Sequence, residues 1–346
     1  MPDKIGIPKR ILFGILISLL IVVFIMDMFI GSMHIPISEI IKAIFTGSSS
    51  RPEWTTIILD YRMPKAFAAL LAGMALSVSG LQMQTMFRNP LAGPDVLGIS
   101  AGASLGVALL VLGLSAFGIN QFDNLFNNGS VVIAACTGAA ISLTLVMLVS
   151  VRVREIMTIL ILGILVGSAI SSVVSILQYF GSETMLKSFI VWTMGSLTQV
   201  SKSQLTILVP CVFTGLLLSF LSVKKLNALL LGEKYASTLG LNITSTRILV
   251  FTSTSILAGS ITAFCGPIAF IGIAVPHVCR TIFRTSDHKI LFWASLLVGA
   301  IVLVISDIIS QLPGTGYTLP INSITALLGI PVIVWIILRN QKQNTW

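Results

Sequence analysis

Apolar residues in this chain fall in continuous runs, and short polar or proline-bent segments separate one run from the next. The runs are Ile11–Ile30, Ala66–Met86, Val96–Leu114, Val131–Val149, Met157–Phe180, Leu205–Leu221, Ile248–Phe264, Pro267–Phe283, Ile290–Ile309 and Ile321–Leu338. Crossing a hydrocarbon layer takes about 20 apolar residues per helix. Only helices or closed barrels can cross, because every backbone polar group must be satisfied internally. Runs without alternation predict helices, so the pattern reads as an all-α, polytopic membrane protein, one domain over residues 1-346 with about ten transmembrane helices. Arg247 and Arg280 bracket the seventh and eighth runs and Gly266-Pro267 bends between them, so one crossing plus a re-entrant loop fits the same letters. The first run lacks a small-residue cleavage site and is expected to stay as an anchor.

Composition agrees: 55% of residues are hydrophobic and only 10% charged, with a mean hydropathy of +1.00. Soluble domains carry roughly 25% charged residues. Short cytoplasmic loops collect Lys and Arg. With the N-terminus inside, inner segments hold 15 of the 21 basic residues, among them Arg88, Arg152, Arg154, Lys224, Lys225, Arg280 and Arg284. The net charge of +9 therefore reads as topology rather than nucleic-acid binding, and both termini are expected in the cytoplasm. The four cysteines sit in or beside apolar runs without metal-type spacing and read as small buried residues.

Candidate chemistry is sparse. No GxxxxGK[ST] phosphate loop, Ser-His-Asp pattern or HExxH pattern occurs, and His34, His277 and His288 are scattered. Asp27 and Asp307 lie near span ends, and no mid-span carboxylate stands out as an ion relay. Catalysis and self-powered ion coupling are both poorly supported, so energy for any transport is expected from a partner.

Five punctuated stretches remain. In "FRNPLAGPDVLGISAGASLG" (Phe87–Gly106), Pro90 and Pro94 break the helix while Asn89 and Asp95 can cap freed backbone groups. Gly98, Gly102 and Gly106 then fit either close helix packing or a pathway wall. In "DYRMPKAF" (Asp60–Phe67), Arg62 and Lys65 stand at the outer mouth, for interfacial anchoring or for an acidic partner. "ISEIIKAIF" (Ile37–Phe45) reads as an amphipathic surface helix. "KKLNALLLGEKYASTLGLNITSTR", residues 224–247, is the longest cytoplasmic loop; its apolar residues need cover from a docked protein or from lipid headgroups. "CGPIAFIGIAVPHVCRTIFRTSDHK" (Cys265–Lys289) is broken by Pro267 and Pro276, and its His277 reads as structural. A short echo links "LLAGMALSVSG" (Leu70–Gly80) with "ILAGSITAFCG" (Ile256–Gly266), run in opposite senses, as inverted transporter repeats would be.

The segments "RNPLA…P…LGIS", "LGEKYASTLGLN", "GPIAFIGIAVPHVCR", "DHK" and "LPINSITALLGIP" resemble, in order and over essentially the whole chain, the permease subunits of bacterial ABC importers for iron-siderophores, haem and cobalamin. That resemblance implies a type II importer permease with inverted repeats, in the cell (inner) membrane, working as a homo- or heterodimer. It implies two cytoplasmic ATPase subunits, which bind the ATP-Mg, and an extracytoplasmic substrate-binding protein; this chain itself is expected to bind no cofactor or metal. Asn89, Pro90 and Leu91 match the family's cytoplasmic gate, with Ile156 and Met157 near the other gate. Leu231, Gly232, Glu233, Ala236, Leu239 and Gly240 match its ATPase-coupling helices, and Arg62 and Lys65 its binding-protein docking positions. Gln311 stands where the family commonly has Arg, Leu319 where it has an acid, and Asn322 where it has glycine, which puts the outer mouth in question. The expected cargo is an iron-siderophore, then haem, then cobalamin. An ATPase-independent carrier or channel is the alternative, and a membrane enzyme would need a cluster of polar side chains within the spans.

Overall fold

A computed structural model describes residues 8–31, 33–113, 128–150, 152–153, 155–311 and 318–341; Arg154 lies outside this set. Thirteen helices are described: α1 (Lys9–Phe29), α2 (Ile37–Thr46), α3 (Pro52–Met86), α4 (Ile99–Ala108, continued by a π-turn, Leu109–Gly113), α5 (Asn128–Ser150), α6 (Ile156–Phe180), α7 (Glu183–Thr193), α8 (Lys202–Leu229), α9 (Glu233–Thr238), α10 (Ile243–Cys265), α11 (Ile271–Phe283), α12 (His288–Ser310) and α13 (Ile321–Gln341). Each of the ten apolar runs coincides with one of them. Among the described residues seven helices are long and apolar enough to cross a membrane, and α4, α11 and α13 contribute shorter apolar stretches.

The uncertain seventh and eighth runs separate cleanly. α10 has 23 residues and can cross alone. α11 has 13, which at 1.5 Å rise per residue is about 20 Å of a roughly 30 Å core. Gly266 makes the turn at φ 73°, and a Cβ there would stand 2.6 Å from the Trp192 carbonyl oxygen, so only glycine fits. The helix absent from the hydropathy pattern is α7, where Glu183 and Lys187 interrupt the apolar sequence.

α3 is the central strut, buried along nearly its whole length from Pro64. Lipid tails are as apolar as leucine, so such helices associate through close packing and hydrogen bonds. Here Gly73 meets Gly299 of α12 and Gly80 meets Gly272 of α11, backbone to backbone. The Ser77 hydroxyl donates to the Ser295 carbonyl at 2.7 Å. Gln82 joins three helices inside the bundle: its amide donates to Ser222 of α8 at 3.0 Å, and its oxygen accepts from Ser253 of α10 at 2.8 Å. α2 forms as the pattern predicts, with Ile40 and Ala43 buried and Ile37, Ile41, Ile44 and Phe45 exposed.

Candidate functional site: a cleft at the basic end of the bundle

The bundle has two chemically different ends. At one, which carries Lys9 and Gln341, α3 stops at Met86 and the chain turns. Phe87 stays buried and stacks on Phe251 of α10 with ring centres 5.8 Å apart. Arg88 adopts φ 47°, and the Asn89 side chain accepts from the Leu91 amide at 2.9 Å, a local turn that Asn and Pro together favour. The loop is then clipped to α11. His277 Nε2 stands 2.8 Å from the Pro90 carbonyl oxygen, an acceptor only, so that ring nitrogen carries the hydrogen. Gln84 donates to the Ile273 carbonyl at 3.0 Å and accepts from Arg280. Leu91 is left exposed at the tip.

Beside this loop α8 ends, Gly232 turns at φ 111°, and the short α9 follows. Its placement is fixed from below. Arg247 of α10, itself buried, donates to Glu233 at 3.0 Å and to the Val153 carbonyl at 3.1 Å. Ala236 is fully buried. The six coupling candidates therefore divide: Glu233 and Ala236 hold α9 down, Gly232 and Gly240 turn the chain at φ 111° and 84°, and Leu231 and Leu239 face outward. Leu230 and Tyr235 join that exposed apolar face.

Between the two segments lies a cleft of about 780 Å³, lined by Gln84, Thr85, Arg88, Pro90, Leu229, Leu230, Leu231, Gly232, His277, Arg280, Thr281, Arg284 and Trp335. It brings the loop after α3 together with the segment before α9. Ile156 and Met157 do not line it; Ile156 is packed in the core and Met157 is exposed at the start of α6. α6 carries a hydroxyl face, with Ser168, Ser172 and Ser175 each bonded to a carbonyl one turn back and exposed on this chain.

Of the two readings of the glycine row, the geometry supports packing. A Cβ on Gly102 or Gly106 would run into the Gly138 or Ala134 carbonyl of α5, and Gly98 takes φ 69° where α4 begins.

The opposite end corrects the docking expectation. Arg62 is 6% exposed and donates to the Met28, Phe29 and Met33 carbonyls, closing the end of α1. Lys65 is 5% exposed and pairs with Asp307 of α12 at 2.8 Å. Neither is offered to a protein outside. Gln311 is also turned inward, its amide donating to both Asp27 and Asp307 at 3.1 Å. Asn322 accepts from the Ala269 amide at 3.0 Å, and the Leu319 amide donates to Ser310 at 2.7 Å. The sequence signal for this cluster lies in Asp27 and Asp307, two carboxylates at the ends of apolar runs.

The class of this helical membrane bundle, with its cation-lined cleft and exposed helical turn at one end, follows from the comparisons. Residues 19–339 match the FecCD transport family, and the chain belongs to it, as an ABC transporter permease. It is 31% identical over 340 residues to the hemin transport system permease HmuU of Yersinia pestis, with 98% of each chain covered. It is 32% identical over 337 residues to the vitamin B12 import permease BtuC of Klebsiella pneumoniae, covering 97% of this chain and 96% of that one. Among solved structures, an inward-facing conformation of a metal-chelate type ABC transporter superposes with a TM-score of 0.82 at 26% identity, covering 96% of this chain and all of that one.

Proposed function

We propose that this chain is the membrane-spanning half of a dimeric, ATP-driven importer that passes a metal chelate into the cytoplasm. The observation that carries this reading is the exposed apolar turn of Leu230, Leu231, Tyr235 and Leu239, held rigidly by the Glu233–Arg247 pair beside the clipped Pro90 loop. Such a surface at a basic, positive-inside end needs a cytoplasmic protein to cover it. An ATPase subunit docked there pulls on α9, and through the cleft walls on the loop of Asn89, Pro90 and Leu91 and on α11. Ile156 and Met157, at the foot of α6, form the facing part of the gate.

The hydroxyl face of α6 is poorly suited to lipid. We read it as the wall of the passage between two copies of the permease, with a binding protein delivering cargo at the opposite end. Hydroxyls bonded to their own helix offer weak, non-ionic contacts, which suits a bulky preformed chelate. Relatives named for hemin and vitamin B12 support the chelate class. Iron-siderophore is the cargo we place first, followed by haem and cobalamin.

The test is uptake of these three chelates by vesicles holding the complete importer. Leu231→Asp with Leu239→Asp is expected to abolish nucleotide-dependent uptake of whichever chelate is carried. Uptake at the parental rate with both aspartates in place would discard the assignment.

A further inference from the structure

The basic cleft holds an electrostatic imbalance that the docking reading leaves unexplained. Arg88, Arg280 and Arg284 reach its wall, together with His277, and among the described residues no Asp or Glu lines it. Arg280 is engaged by Gln84. The side chains of Arg88 and Arg284 are exposed and have no hydrogen-bond or ion-pair partner among the described residues. The acids near these segments are already used: Asp95 accepts from Ser100, Glu233 holds Arg247, and Asp287 accepts from Asn227 and caps α12.

The backbone adds a second observation. Arg88 follows the end of α3 at φ 47°, and Arg284 caps the end of α11 at φ 46°. These are left-handed positions where a helix end ordinarily takes glycine. A cation near a helix C-terminus is favoured by the helix dipole, but the dipole does not require a side chain at the strained residue itself. Two arginines held in this conformation on one cleft fit the pattern of backbone strain concentrated at functional positions. The Arg88 guanidinium also lies over Gly232, where an added Cβ would come within 3.3 Å of Nη2, so the charge sits at the junction of the Pro90 loop and the segment before α9.

We propose that the ATPase subunit fills this cleft with a carboxylate-bearing loop that pairs with Arg88 and Arg284, alongside the apolar contact of Leu231 and Leu239. The proposal rests on the ATPase-docking reading above. Any protein that covers the apolar turn also strips water from these arginines, and covered guanidiniums demand carboxylate or similar acceptors. Bidentate pairing would tie the Pro90 loop and the end of α11 directly to the ATPase, so both gate walls would follow its movement.

The experiment titrates the cognate ATPase onto the full-length permease in nanodiscs of zwitterionic lipid, at about 50 and about 500 mM KCl. Wild-type affinity is expected to fall about tenfold with salt, and Arg88→Gln with Arg284→Gln to lose about tenfold at low salt and most of the salt dependence. Because neither side chain has an internal partner, the double variant should melt within about 2 °C of the parent. Arg88→Lys with Arg284→Lys should recover part of the affinity, since charge returns without the planar fork. Wild-type binding at both salts by the glutamine variant, with Leu239→Asp still losing the ATPase, would overturn the carboxylate pairing and leave the docking reading standing. Unchanged binding by Leu239→Asp would overturn the docking reading itself. A defect that appears only in discs containing anionic lipid would assign the cleft to a headgroup and likewise overturn the proposal.

Discussion

The two ends of the bundle spend their charges in opposite ways. At the end of Asp307, Arg62, Lys65, Asp27 and Gln311 are buried and engaged with one another or with the termination of α1. At the end of Arg88, two arginines and four apolar side chains face outward with nothing internal to hold them. A buried polar cluster that serves the fold should find most of its partners at home, as the Asp307 cluster does, leaving Asp27 Oδ2 as its oxygen without a hydrogen bond among the described residues. An end that leaves its polar groups available is built for a partner. The contrast separates the buried polar cluster around Asp307 from the exposed surface around Arg88.

Breaking the comparison starts where the effect should be largest. Asp307→Ala leaves Lys65 charged and buried without its partner, which is expected to cost about 3–5 kcal/mol in thermal unfolding of the detergent-solubilised chain. Replacing both members together, Lys65→Met with Asp307→Leu, should recover most of that loss. Parental melting of Asp307→Ala would show that this end is not the rigid one. Next comes Gly106→Val, which drives a side chain into the Ala134 carbonyl and should destabilise the α4–α5 pair by about 1–3 kcal/mol.

A smaller effect is expected at the start of α12. Asp287 caps that helix through the Lys289 amide, and Asp287→Ala should cost about 1 kcal/mol. The Asn227 amide, and then the Lys289 amide, hold the Asp287 carboxyl below the ordinary aspartate range. Its contribution is therefore complete above the pKa of an unfolded aspartate and fades as pH falls through the lower folded value. Asp287→Asn keeps a capping oxygen but should flatten that acid-side slope in a melting series. Smallest of all on stability is Leu231→Asp with Leu239→Asp, expected within about 0.5 kcal/mol per exposed site of the parent. That near-neutrality, set against complete loss of uptake, is what would sharpen the division between scaffold and surface.

Much of this was legible in the chain. Long apolar runs leave little choice of structure in lipid, so the crossings followed from hydropathy alone. Pro90 and Gly232 marked the two walls of the basic cleft because broken helices need such residues. The fate of Arg62 and Lys65 was hidden, since a basic residue beside a span looks the same whether it anchors, docks or pairs inward. Asp307, some 240 positions away, decides it for Lys65, and the Met28 and Phe29 carbonyls at the end of α1 decide it for Arg62. The opposing positions of Gly102 and Gly138, and the strain at Arg88 and Arg284, likewise depend on packing between distant helices. The short α7 escaped because two charges interrupt its apolar face.

In the proposed importer this permease has no motor of its own and opens only when a protein bound at the Arg88 end moves it. Chelate accumulation should therefore be measured in liposomes containing the permease alone, and again after adding the cognate ATPase, binding protein and ATP-Mg. The account predicts no accumulation in the first case and nucleotide-dependent accumulation in the second. Concentration of the chelate by the permease alone would contradict it.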